Sequence, residues 1–333
     1  MADPAAVEPA HGWLARHRAE LTGHCYRMLG SAFEAEDAVQ ETLLRAWDRY
    51  DQFDEARGSL RAWLYAIATG VCLDLLRGRK RRARPVDLGP AAHAGAPLGV
   101  PLADSTWVEP IPDAHILPAD GDPAELVVQR ETIRLAFVAA LQHLPPRQRA
   151  VLILREVVCW SAAEVAELLG TTVVAVNSAL QRARATLVAR GVTVTTAQPL
   201  RPAGGALQEL LARYADAFER YDVDALVALL HEDARMSMPP FGWWLEGRAQ
   251  IRQALLGSDG YCMGSRLVPV AANGSPAFAQ YTRTGPGGAL APWALVVVEV
   301  SGDRIAGWTS FLDAARWFPQ FGLPLQPTLE PRP

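Results

Sequence analysis

Between Asn177 and Arg184 the chain places Asn177, Ser178, Gln181, Arg182 and Arg184, side chains that donate and accept hydrogen bonds or carry a fixed positive charge. Asn and Gln match the edge of adenine and Arg matches guanine or phosphate, so the group suits the reading of duplex DNA. A second group is the run RGRKRRAR over 77–84, six basic residues with no acidic one, which can track phosphates or simply solvate a helix end. A third is apolar and aromatic. Met236, Met238, Phe241, Trp243, Trp244, Tyr261 and Trp308 could line a pocket or fill a small core. General acid–base chemistry in such a pocket needs a carboxylate base facing an acid. Glu232 and Asp233, after His231, fall at a helix-to-strand corner where a solvent-facing turn is expected, so no catalytic residue is assigned. Cys25, Cys72, Cys159 and Cys262 stand singly, without CxxC or CxxH spacing, and are expected to be small buried hydrophobes. No metal site and no cofactor is expected.

The first group needs a rigid helix to present it, and the flanking residues supply one. Ser161-Ala-Ala-Glu164 is a capping box that starts a short helix, and Gly170 can end it. Thr171 or Thr172 then caps a second helix whose apolar residues Val176, Leu180, Ala183 and Leu187 recur at helical spacing. Short helix, tight turn and longer helix make a helix-turn-helix. Segment 145–190 carries six arginines against three glutamates. Upstream, a helix over about 124–143 stops at Leu144-Pro145-Pro146, and another follows over 147–158. In the first part of the chain Leu60, Leu64, Ile67, Val71 and Leu75 make the apolar face of a helix from about Ser59 to Arg77. An earlier helix turns Val39, Leu43, Trp47 and Tyr50 inward and a polar side with Glu36, Asp37, Gln40, Glu41, Arg45 and Asp48 outward.

After the basic run, residues 85–123 hold six acidic residues, no Lys or Arg, eight prolines and four glycines, the composition of a linker. Trp107-Val-Glu-Pro-Ile-Pro-Asp113 is out of place in a solvated spacer and is expected to dock on a folded surface. Beyond a second linker the pattern becomes α+β. Helices over 207–230, broken near Asp222, precede a short strand over 235–238 and a helix over 248–256. Strands are expected over 267–272, 277–282 and 294–300, with a turn at 301–304 leading into 305–312. Helices followed by a curved antiparallel sheet suggest a cone that closes over a pocket.

With 333 residues and about 150 per domain, two to three domains are expected, and half the residues are hydrophobic, as in globular chains. The net charge of −4 sums a basic helix end, an acidic linker and a C-terminal third, 204–333, with ten basic and thirteen acidic residues. It therefore does not exclude nucleic acid. The N-terminus lacks a signal-peptide pattern, and apolar runs such as Ala294–Val298 fall far short of the roughly 20 residues that span a bilayer, so a soluble, cytoplasmic protein without a membrane partner is expected.

AEDAVQETLLRAW (35–47) and SLRAWLYAIATGVCLDLLRGRKRR (59–82) resemble region 2 of extracytoplasmic-function (ECF) sigma factors. LPPRQRAVLILREVV (144–158) with SAAEVAELLGTTVVAVNSALQRARATL (161–187) resembles their region 4. YADAFERYDVDALVALLHEDARMSMPP (214–240) resembles SnoaL-like, ketosteroid-isomerase-like domains, and this order with the WVEPIPD linker is similar to ECF factors of the SigG kind. The resemblance implies a multidomain chain: an all-α region 2 bundle over 10–84, a linker over 85–123, an all-α region 4 helix-turn-helix over 124–190, a linker over 191–205, and an α+β cone over 206–328. It implies binding to core RNA polymerase, through the β′ clamp and β flap, and to the −10 and −35 promoter elements. Glu36, Asp37, Gln40, Glu41, Leu44 and Arg45 would grip polymerase. Arg61, Tyr65, Asp74, Arg77, Arg79, Lys80, Arg81 and Arg82 would meet the −10 element, by stacking and by phosphate contact. Arg149, Thr171, Thr172, Asn177, Ser178, Gln181, Arg182 and Arg184 would meet the −35 element.

Two departures from the family pattern bear on −10 preference. Gly70 stands where many members have asparagine, and the loop 53–59 is one residue longer than usual. The C-terminal domain is expected to regulate the sigma unit by touching its regions or the WVEPIPD segment, under control of a small apolar ligand. A one-component helix-turn-helix regulator with a sensing domain has no use for the polar face of 35–47. A pocket enzyme on a DNA-binding arm would need acid and base groups that the sequence does not supply.

Overall fold

Gly30 takes φ of +70°, the left-handed conformation that ends a helix, and its amide donates back to the Tyr26 carbonyl at 2.7 Å. That stop closes α1 (Val7–Leu29), and Ser31 then opens α2 (Ala32–Asp48) by accepting the Glu34 amide at 3.2 Å. Ser59 does the same for α3 (Leu60–Leu75) through the Ala62 amide. In the computed structural model, which describes residues 7–56, 58–118, 123–190, 204–257, 262–284 and 288–327, these helices belong to a first unit made of Met1–Arg82 and Asp113–Ala197. The second unit is Ala83–Pro112 with Gln198–Pro333.

Two helix faces differ from the expected ones. In α2 the buried side is Ala35, Ala38, Val39, Thr42 and Ala46, while Trp47 is 42% exposed and Tyr50 lies on the surface as well. In α3 burial centres on Leu64, Tyr65, Ala68, Val71 and Cys72, and Leu60, Ile67 and Leu75 are only half-buried. α2 packs through small residues, Ala35, Ala38 and Ala46 among them, whereas α3 buries Leu64 and Tyr65 beside Ala68 and Cys72.

The helix expected over 124–143 is two helices, α4 (Pro123–Glu131) and α5 (Leu135–Leu141). At the break the buried Arg27 of α1 donates to the Thr132 hydroxyl at 2.9 Å and to the Thr132 carbonyl at 3.3 Å, serving an acceptor the helix has released. Next, α6 (Pro146–Leu152) runs into a wider turn at Ile153–Val157 and leads to α7 (Ala162–Leu168). The capping box is complete: Ser161 Oγ accepts from the Glu164 amide at 3.2 Å, and Glu164 Oε2 accepts from the Ser161 amide at 2.7 Å. Gly170, at φ +59°, ends α7, and Thr172 caps α8 (Val173–Val188). The two axes meet at 102°, within the range of helix-turn-helix pairs. As expected, α8 buries Val176, Leu180, Ala183 and Leu187.

Within this first unit the two helical regions touch. Arg149 of α6, 3% exposed, donates to the Met28 carbonyl of α1, to Gln142 Oε1 at 2.6 Å, and to the Gln142 and Leu144 carbonyls at 3.2 Å. Trp160 packs on Tyr65 with ring centroids 5.2 Å apart. A Cβ at Gly30 would lie 3.2 Å from Gln142 and 3.3 Å from Arg82.

In the second unit α9 (Gly204–Glu219) and α10 (Val223–Ala228) are separated at Asp222, whose carboxylate caps α10 through the Ala225 amide at 3.0 Å. They lead to β1 (Leu230–Ser237), β2 (Trp244–Glu246), α11 (Arg248–Gly257), β3 (Arg266–Ala272), β4 (Ser275–Arg283), β5 (Leu290–Ser301), β6 (Arg304–Phe311) and α12 (Ala314–Trp317). The sheet order is β2-β1-β6-β5-β4-β3, with β1 parallel to β6 and the other pairs antiparallel. Helices before a six-stranded, largely antiparallel sheet are the expected α+β architecture. The three-residue β2 was not foreseen.

Much of the 85–123 segment is not a free spacer. Residues 83–112 lie on the second unit as a strap. The Ala83 amide donates to Thr106 and the Val108 amide to Ala83, a short parallel bridge. Further along, Ala92 N–H meets the Trp244 carbonyl at 2.8 Å, Trp244 Nε1 donates to the Gly89 carbonyl at 3.0 Å, and Leu102 N–H meets the Pro240 carbonyl at 2.8 Å. Ile111 and Asn273 exchange bonds, amide to side chain one way and amide to carbonyl the other, each at 3.1 Å. Trp107 to Pro112 are all buried. Among them Glu109, 2% exposed, accepts from Arg316 of α12 at 2.7 Å, and Arg316 also reaches Asp104.

Candidate nucleic-acid and polymerase interface

The outer side of α2 carries Glu36, Asp37, Gln40, Glu41, Leu44 and Arg45, with Arg18 of α1 paired to Glu36 at 2.8 Å and Arg45 to Glu41 at 2.7 Å. Leu44, 61% exposed, and Trp47 add apolar surface to this charged side. Polar groups ringing two exposed large apolar side chains suit docking to a protein, since the apolar pair gives burial and the rim gives register. The sequence pattern turns Trp47 inward, but its exposure places it on this side.

Beside it, Arg45, Arg49 and Trp63 with Ala66, Ile67, Gly70, Leu73, Asp74 and Arg77 enclose an open groove of about 380 Å³. Its residues from α3 fall at steps of three and four, so one face of that helix is its floor. A Cβ at Gly70 would meet nothing within 4 Å, and the floor is correspondingly open at that point. Trp63 leans on Phe53 from the long loop, ring centroids 5.3 Å apart. Three cations over an apolar floor is a composition that suits single-stranded nucleic acid.

The expected −10 residues divide. Asp74 and Arg77 are in the groove and paired at 3.1 Å, and Lys80 is exposed. Arg79 and Arg82 both go to Glu34, Arg82 at 2.9 Å and itself buried, while Arg81 meets His143. Tyr65 is not an open stacking surface in this arrangement. It is buried between His24 at 5.0 Å and Trp160, and burial together with Glu20 raises its phenol above the usual range. Arg61 donates to Glu20 at 2.7 Å and lies over the Tyr65 ring.

In α8, Asn177, Gln181, Arg182 and Arg184 are exposed and Ser178 is half-buried; Ser178, Gln181 and Arg182 lie opposite the packed face, with Asn177 and Arg184 at its flanks. Arg184 pairs with Glu156. Thr171 is exposed, and the Thr172 hydroxyl is taken by the cap. Arg149 is separated from this set: its guanidinium is enclosed among carbonyls, and burial lowers its pKa to about 10. Burial likewise lowers Arg27 to about 10. Nothing in the local sequence distinguishes Arg149 from Arg147, because its partners come from α1 and the end of α5.

Inside the second unit Tyr214, Phe278, Trp243 and Trp308 form one cluster, with Met236 and Met238 packed against it. Tyr214 stacks on Phe278 at 5.6 Å and meets Trp308 edge-on at 6.1 Å. Trp244 faces the strap instead, and Tyr261 lies outside the described residues. The Tyr214 hydroxyl and Trp243 Nε1 are buried without a hydrogen-bond partner among the described residues. Glu232 and Asp233 are exposed, and Glu232 pairs with Arg248 at 3.0 Å, so neither faces the interior. Among the described residues no group of His, Cys, Asp and Glu is arranged to hold a metal ion, and no single helix is long and apolar enough to cross a membrane. Cys25 and Cys72 are buried as expected, whereas Cys159 is exposed.

Residues 13–82 match Sigma-70 region 2, residues 134–187 match Sigma-70 region 4, and residues 211–308 match the SnoaL-like domain. The ECF RNA polymerase sigma factor SigG of Mycobacterium tuberculosis is 49% identical over 313 residues, 92% of this chain and 82% of that one. SigJ of the same organism is 32% identical over 220 residues, 65% of this chain and 60% of its own length. The crystal structure of M. tuberculosis SigJ superposes with a TM-score of 0.60 at 23% identity, covering 95% of this chain and 99% of that one, a likeness of fold. Similarity at this level runs through both helical regions and into the α+β unit, and the chain belongs to the ECF RNA polymerase sigma factors, transcription factors of promoter-specific initiation, with a SnoaL-like domain fused at its C-terminus.

Proposed function

We propose that the outer side of α2 grips the β′ clamp of polymerase while region 4 engages the β flap. The α2–α3 groove and the exposed basic residues after it handle the opened −10 element. The free face of α8 reads the −35 element, with Thr171, Asn177, Ser178, Gln181 and Arg182 at the bases and Arg184 at phosphate. These steps belong to the cytoplasm, where polymerase and chromosome are. The SnoaL-like domain regulates them and catalyses no reaction of its own.

The observation that carries the regulatory reading is the strap. Promoter elements named −35 and −10 lie roughly 25 base pairs apart, about 85 Å of duplex at 3.4 Å per base pair. Thirty residues of extended chain span about 100 Å, so residues 83–112 are the natural reach between the two readers. While they are seated on the SnoaL-like domain that reach is withheld. Covalent attachment keeps the local concentration of strap and seat in the mM range, so even a modest contact stays populated. A small, mostly apolar ligand carrying one hydrogen-bond acceptor would satisfy the Tyr214 hydroxyl or Trp243 Nε1 and bias the seat.

Truncation after Gly205 tests the proposal in run-off transcription with core polymerase. Transcription and polymerase affinity should both change when the domain is removed. Unchanged values for both would end the regulatory reading and leave the sigma function standing.

A further inference from the structure

Along α8, Val174, Ser178, Gln181 and Ala185 follow one another at steps of four, three and four, which puts them in a single stripe. The stripe lies opposite the packed residues Val176, Leu180, Ala183 and Leu187. Val174 is 74% exposed and its neighbour Val173 is 43% exposed, both in the first turn of the helix. Isolated apolar residues on a surface are ordinary. These two, however, are β-branched residues with no packing role at the end of the helix that, in a helix-turn-helix, meets the base edges. On either side of Val174 in projection stand groups suited to bases and phosphates, Asn177 and Arg182.

The major groove displays donors, acceptors and one apolar group, the 5-methyl of thymine. An exposed valine gains nothing from a donor or an acceptor and would leave it unsatisfied on desolvation. Against a methyl it gains burial and contact at no polar cost.

We infer that Val174 is a specificity residue of this sigma factor that reads the 5-methyl group of a thymine in the −35 element. The inference rests on the proposal that α8 is the −35 recognition helix. It adds an apolar readout to the hydrogen-bonding set and commits the element to at least one thymine, on either strand, next to the base read by Asn177 or Ser178.

The test uses the full chain with core polymerase and a promoter duplex selected from a randomised pool. Each thymine of the −35 element is replaced in turn by deoxyuridine, which removes the methyl and keeps every donor and acceptor. Burial of one methyl at about 0.8 kcal/mol corresponds to a loss of about four-fold in affinity at one position. Val174→Ala should lose at least three-fold on the thymine duplex and nothing further on the uracil duplex. Val188→Ala, an exposed valine at the other end of the same helix, should match the unsubstituted protein on both. If no uracil substitution changes affinity while Asn177→Ala lowers it ten-fold or more, the thymine inference fails and α8 remains the recognition helix. If Val174→Ala, Asn177→Ala and Arg182→Ala all leave affinity unchanged, the assignment of α8 itself fails.

Discussion

The contact between the two helical regions and the seat of the strap each turn on arginines, buried in the first and partly exposed in the second, and the partners differ. Arg27 and Arg149 donate only to neutral acceptors, carbonyls and a threonine hydroxyl, and burial lowers both side chains to about 10. Arg316 meets a carboxylate, Glu109, that is itself enclosed, and Trp107, Val108 and Ile111 are buried beside it. When the first contact opens, water can serve the same carbonyls and the cations regain hydration, so the polar part of the loss is small and the Tyr65–Trp160 packing is its apolar part. When the second opens, apolar side chains worth roughly 1.5–3 kcal/mol each return to water. The polar contacts between the two helical regions are therefore the replaceable ones. The strap is held by an arginine on a buried carboxylate and by apolar burial.

This contrast predicts its own largest effect at Arg316. Arg316→Ala leaves Glu109 buried without its cation and should destabilise the second unit by about 3–5 kcal/mol, read from denaturant unfolding. Protease cleavage within 83–112 should rise with it. The double variant Arg316→Met, Glu109→Gln should recover much of the loss, and a cost below 1 kcal/mol for the single variant would break the comparison.

Acid should separate the two units next. His24 is fully buried, its Nε2 3.0 Å from Thr69 Oγ1, and burial followed by the charge of Arg27 lowers its pKa from 6.5 to about 3. The unfolded imidazole takes up a proton below pH 6.5 while the folded one does not until about pH 3. Its stabilising contribution is thus complete above pH 6.5 and shrinks by roughly 1.4 kcal/mol per pH unit below it. The second unit has no buried histidine among its described residues. Thermal melts between pH 7 and 4.5 should show the helical transition moving down first, and His24→Gln should flatten that dependence.

The smallest effect belongs to Arg149→Met, about 1–2 kcal/mol in urea unfolding of the first unit, because the orphaned carbonyls can find water. Energy transfer between labels on α3 and α8 should report wider separation. A cost as large as that of Arg316→Ala would reverse the ranking of the two contacts.

What the sequence revealed was mostly what is local. The capping box at Ser161, the stop at Gly170 and the Val176–Leu187 spacing each depend on residues a turn apart, and all are present as read. The oddity of Trp107 in a proline-rich stretch also pointed correctly to docking. Failures come from distant partners and from residue size. The family resemblance assigns Tyr65 and Arg149 to DNA, whereas their burial depends on Trp160, Glu20 and the end of α1. Trp47 falls on the spacing of Val39 and Leu43 that reads as the inner face, whereas α2 packs through alanines. Trp243 and Trp244 are adjacent and so point to opposite sides, one to the cluster and one to the strap, which no composition count can separate.

Gly30 has two duties that are usually kept apart. Its left-handed φ ends a helix, and its missing Cβ makes room for Gln142 and Arg82. A single methyl group there would strain the turn and oblige the Gln142 and Arg82 side chains to give way by a few tenths of an ångström, with every charge on the protein unchanged. It is thus one position from which the closeness of the two helical regions can be probed.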